Sequence, residues 1–139
     1  MEVGGGQYDE AVGRVTFLPL NLDTRVEIEP GYQGLQHIWV IARLQTNRPE
    51  GVQAEYTVYL TETGKRLGGG SQKADLTVPL DVQAANEGWM DMPAFPAVVL
   101  DPEQVDGRRV DITVLVGDSC QRETTESRNV TAEWIPREP

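Results

Sequence analysis

The sequence predicts an all-β protein, an antiparallel immunoglobulin-like (Greek-key) β-sandwich of seven to eight strands. Three observations carry this expectation. Apolar and polar residues alternate through successive short segments, the period-two pattern of strands with one buried face. Turn signals rich in Pro, Gly and Asn recur about every ten to fifteen residues, a spacing that suits a Greek-key sandwich. No segment reads as a helix, and alternation leaves each strand one wet face, as in antiparallel sheets.

The elements follow in order. MEVGGGQYDE (1–10) is glycine-rich and acidic, a linker composition. Residues 1–12 are therefore expected to be a flexible tether, and 13–137 a single β-sandwich domain. GRVTFLPL (13–20) is a first strand that stops near Pro19. TRVEIE (24–29) alternates with Val26 and Ile28 on one face, and Pro30-Gly31 turns the chain. LQHIWVIARLQT (35–46) is a long strand, broken by Asn47, Pro49 and Gly51. VQAEYTVYLTET (52–63) alternates again, and KRLGGGSQK after it reads as a flexible connection with a mobile glycine tip. ADLTVPLDV (74–82) carries a central proline and belongs at an edge. AANEGWMDMPAF is irregular, PAVVL (96–100) is short and apolar, and RRVDITVLVGD (108–118) is the cleanest core strand. RNVTAEWIP (128–136) closes the fold.

With 139 residues the chain is long enough to bury a core without disulfides. Its net charge of −10 repels phosphate backbones and anionic membrane surfaces, so nucleic acid is not an expected partner. No apolar run is long enough to insert into a membrane. A single cysteine, Cys120 in GDSCQRE, excludes an internal disulfide and any cysteine-rich zinc site.

The richest stretch is GYQGLQHIWVIARLQ (31–45), with the only histidine. Parity places Ile38, Val40, Ala42 and Leu44 on one face, a core face, and His37, Trp39, Ile41 and Arg43 on the other. The second set has two readings. Neighbouring strands and loops cover it as scaffold, or His37, Trp39 and Arg43 form a recognition face, since Trp and Arg are enriched at interface hot spots. Gly31 and Gly34 bracket a turn or bulge before the strand. His37 also has a metal reading, with Met90, Met92 or carboxylates as partners for copper or calcium. DPEQVDG (101–107) lacks the alternating ligands of a calcium loop and reads as a turn. Asn129-Val-Thr131 fits a glycosylation sequon but falls within a strand. No nucleophile elbow, zinc helix, phosphate loop or dinucleotide fingerprint is present, so no catalytic residue and no cofactor is expected.

FLPL (17–20), RVEIEPG and QGLQHIWVIAR (33–43) together resemble secreted or lipoprotein immunoglobulin-like domains of myxobacteria and related bacteria. Those carry an F-x-P-L strand followed by a G-x-Q-G-x-x-H turn. The ending GRRVDITVLVGD…RNVTAEW resembles the last hairpin of bacterial immunoglobulin-like domains. Leu35 departs from the pattern, where a glycine is usual. The resemblance implies an extracytoplasmic location (periplasm, outer-membrane lipoprotein or secreted), with an export signal or lipidated cysteine ahead of Met1. It brings no catalytic residues. The expected function is a non-catalytic binding or structural module at the cell envelope whose partner is another protein or envelope component. A periplasmic metal-binding protein and an accessory domain of a larger enzyme are the alternatives.

Overall fold

A computed structural model describes residues 1–11, 13–21, 23–30, 35–45, 49–77, 83–86, 89–120 and 122–134. Its strands are β1 (Glu2–Asp9), β2 (Arg14–Pro19), β3 (Arg25–Pro30), β4 (Gln36–Leu44), β5 (Val52–Leu60), β6 (Arg66–Ala74), β7 (Gln83–Asn86), β8 (Trp89–Asp91), β9 (Phe95–Val99), β10 (Arg109–Gly117) and β11 (Glu123–Trp134). A single helical turn, α1 (Pro102–Val105), precedes β10.

The strands close on themselves. Hydrogen-bonded neighbours run β4-β3-β11-β10-β5-β6-β9, and β9 pairs back onto β4. The pair β3–β11 is parallel while the others in the ring are antiparallel. The fold is therefore a closed seven-stranded β-barrel with mixed strand directions, and the expected antiparallel immunoglobulin-like sandwich is corrected on both counts. The physical reason is that sandwich and barrel bury one face of every strand and so require the same alternation. Only the long-range partners of β3, β4 and β9 distinguish them.

Alternation builds the core as expected. In β5, Val52, Ala54, Tyr56, Val58 and Leu60 are buried, and in β10 Val110, Ile112, Val114 and Val116 are. Register sets Ile112 opposite Val58 and Val114 opposite Tyr56. With Ile28, Ile38, Val40 and Val130 these side chains fill the interior, as expected of a barrel this narrow. Val105 of α1 is fully buried.

Two glycine runs depart from their expected roles. The 1–12 tether is replaced over Glu2–Asp9 by β1, hydrogen-bonded to β2 on one side and β4 on the other. A Cβ on Gly4 would fall 2.4 Å from the Phe17 ring, and one on Gly6 would fall 2.6 Å from Trp39 Cβ. The second run, Gly68–Gly70, is strand β6 in place of a mobile tip. There a Cβ on Gly69 would fall 2.0 Å from the Tyr56 carbonyl oxygen, and one on Gly70 would fall 2.5 Å from the Phe95 ring. At Gly4, Gly6 and Gly68–Gly70 a neighbouring side chain or carbonyl occupies the space of a Cβ, whereas Gly5 is less crowded.

Other boundaries shift as well. Two short strands, β7 and β8, arise within the segment expected to be irregular, β11 begins at Glu123, and DPEQVDG holds α1. The bracketing glycines 31 and 34 lie outside the described residues, as do residues 78–82 of the expected proline-bearing edge strand.

Candidate functional site: a wedge in the barrel wall

Strand β4 changes partners along one edge. Gln36 and His37 pair with β3, whereas Val40–Arg43 pair with β1. Between these, β1 leaves β4 as a hairpin with β2 from Gly6 onward, and β3 leaves it over Arg25–Ile28 to pair with β11. Ile38 and Trp39 are left at the branch point. The wedge that opens is a cavity of about 420 Å³ lined by Gly5, Gly6, Gln7 and Leu18 of the hairpin, Arg25–Glu27 and Glu29 of β3, and Ile38 and Trp39.

The predicted division of β4 into two faces is observed, with Ile38, Val40, Ala42 and Leu44 in the core cluster. On the outer face, Trp39 is half-buried, and its indole Nε1 donates to Glu29 Oε2 at 2.9 Å. His37 packs edge-on against it, ring centroids 4.6 Å apart at 78°. His37 is only 8% exposed, its Nε2 has no hydrogen-bond partner, and burial lowers its pKa below the ordinary 6.5. The imidazole is therefore neutral at pH 7.

Arg43 is engaged inside the molecule. Its Nε and Nη2 donate to the two carboxylate oxygens of Asp91 at 2.6 and 3.1 Å, and its guanidinium lies 3.8 Å from the Phe17 ring centroid. The Asp91 hydrogen bond, outweighing desolvation, raises the Arg43 pKa. Asp91 is 5% exposed, so this is a nearly buried pair. Of the three residues expected to make a recognition face, the structure thus brings His37 and Trp39 together. It sets Arg43 apart, under Phe17, and only Trp39 lines the wedge.

Two residues that line the wedge, Glu27 and Glu29, were not singled out from sequence, although the alternation of TRVEIE places Arg25, Glu27 and Glu29 on one face. Glu27 sits opposite Glu133 in the parallel register. Partial desolvation first, then the neighbouring Glu29 and Glu133 carboxylates, raise its pKa above the ordinary value. Like charges here oppose one another.

The metal reading of His37 meets a geometric obstacle. Met90 lies opposite Leu44, and the Met92 amide bonds the Ala42 carbonyl. Ala42 is about 17 Å along β4 from His37 at strand rise. Among the described residues no group of three or more His, Cys, Asp or Glu side chains is placed to hold a metal ion. The sequon residue Asn129 donates through Nδ2 to Thr61 and Asp111 and accepts from Arg109, a cross-strand network. Cys120 is exposed, in a loop where Asp118 accepts from its backbone amide.

No protein-family model matches this chain, and no curated protein shows significant similarity to it.

Proposed function

We propose that this barrel is a non-catalytic binding module, and that it holds its ligand in the wedge between the β1–β2 hairpin and β3. The single observation that carries the reading is that Trp39, fixed by Glu29, lines a 420 Å³ wedge on a barrel whose interior is packed with side chains. A larger cleft of about 920 Å³ beside Glu50 and Asp118 has no aromatic lining among the described residues. The volume of the wedge suits a small ligand or a peptide side chain with its backbone. Trp39 is held in one orientation by Glu29, so part of the ordering cost of binding is already met in the free protein. The placement of the module outside the cytoplasm, at the bacterial cell envelope, rests on the sequence resemblance alone.

The test is amide chemical-shift mapping against a mixed set of saccharides, small polar ligands and short peptides. Binding at the wedge moves the amides of Gly6, Gln7, Val26 and Glu27 and the Trp39 indole NH. Shifts confined to the Asp118–Arg122 end of the barrel, or none with any probe, overturn the proposal.

A further inference from the structure

The wedge is bordered by two strand edges. On the side of β3 away from β11, no described strand pairs with Arg25–Ile28, and on the β4 side of β1 none pairs with Gly6–Asp9. Backbone N–H and C=O groups on such an edge are a template for one more strand. Natural edges are commonly blunted by lysine, proline or a covering element. The β3 edge over Arg25–Ile28 contains no lysine or proline, but it carries two exposed charges, Arg25 and Glu27, so it favours a strand of complementary charge.

Charge selects among extended segments. On the outer face of β3, Glu27 stands beside Glu29 on its own strand and opposite Glu133 on β11. Among the described residues no ion pair involves these three carboxylates. Their mutual repulsion disfavours the free protein and is relieved by one incoming cation. The Trp39 indole on the wedge floor offers an apolar surface for the stem of a long basic side chain.

We infer that the partner is an extended peptide segment that adds to the open β3 edge and places one lysine or arginine against Glu27. This rests on the binding-module reading above and names its ligand. A strand added at the usual interstrand spacing brings a directly opposed side chain within about 5.5 Å of Glu27, so the charge contact follows from the backbone pairing.

The probe is a short peptide of threonine and valine with one central lysine, titrated into the full chain and followed by amide shifts. Three comparison peptides carry glutamate at the centre, N-methyl groups on alternate amides, or the lysine in a scrambled, proline-containing backbone. The lysine peptide is expected to move Gly6, Gln7, Val26 and Glu27, and each comparison peptide to bind at least about tenfold more weakly. Glu27→Gln weakens the lysine peptide about three- to fivefold, while thermal unfolding shows the variant folded and no less stable, because a repulsion has been removed. Equal binding of the N-methylated peptide overturns strand addition, and equal binding of the glutamate peptide overturns the charge selection. Concentration-dependent shifts at the same amides without peptide identify a second copy as the occupant and overturn the inference. If no peptide binds while a saccharide or small ligand moves the wedge amides, the inference fails and the binding-module proposal stands. If nothing moves them, both fail.

Discussion

Arg43 shows at the scale of one residue how a surface reading changes with its covering. Its side chain is 22% exposed and that of Asp91 is 7% exposed, so truncating the arginine strands a nearly buried carboxylate. Arg43→Ala is expected to lower unfolding stability by about 2–4 kcal/mol, measured by urea denaturation with unchanged m-value. A loss no larger than an exposed ion pair gives would show that Asp91 is solvated. His37 makes the second prediction. Burial depresses its folded pKa below the ordinary 6.5, so its contribution is complete above that value. As pH falls past 6.5 the unfolded chain binds the proton first, and stability declines through the folded pKa. His37→Phe keeps an aromatic edge against Trp39 and removes both the titration and the unpartnered Nε2. The variant should lose less stability than the parent between about pH 7.5 and 5.5, and equal losses would assign the slope to carboxylates. Parity in the sequence made the face of both residues legible. Their coverings were not, because Asp91 lies 48 positions from Arg43 and Val98, opposite His37, comes from the distant strand β9.

Among elements, the glycine runs carry the clearest lesson. A run of three glycines has linker composition, yet β1 and β6 each place one inside the sheet. The distinguishing information is not local. Phe17, Trp39, Tyr56 and Phe95 must arrive from other strands to occupy the space that glycine leaves. Tyr56 and Phe95 stack at 4.4 Å across the Gly70 position. Gly69→Ala is expected to cost about 3 kcal/mol or more, because its φ of +147° is strained for any side chain and a carbonyl blocks the Cβ. Gly64→Ala, with φ of +72° but open space around it, should cost only about 1 kcal/mol. Gly6→Ala is expected to lose about 1–3 kcal/mol by overpacking Trp39 and Val15. A tether would show no loss at Gly6, so thermal melts of these three variants distinguish strand from linker.

For the whole molecule, closure of the ring depends on unequal seams. Long ladders join β5, β10 and β11, whereas among the described residues β6–β9 is held by two residue pairs and the bond from the Leu100 amide to the Leu67 carbonyl, and β3–β4 by two pairs. Beyond Gly69 the first of these seams is bridged by side chains. The Tyr56 hydroxyl donates to Gln72 Oε1 at 2.6 Å, and Gln72 Nε2 donates to the Pro93 carbonyl at 3.0 Å. Burial pushes the Tyr56 hydroxyl pKa up, so this donor keeps its proton across the physiological range. Native-state hydrogen exchange should therefore show amides of β6, β9 and the β3–β4 pairing opening before those of β5 and β10. Uniform protection around the ring would mean that the short seams open only with global unfolding.

Charge balance, the exclusion of a disulfide within this chain, the all-β composition and the inward face of β3, β4, β5 and β10 were all determined by the sequence alone. Each depends on composition or on the two-residue period of a single strand. Tertiary structure decided the rest: the closure of β4 on β9, the parallel pairing of β3 with β11, and the wedge where β4 exchanges one neighbour for another. These are choices of partner between strands distant in sequence. Alternation is indifferent to them, since every candidate partner presents the same apolar face.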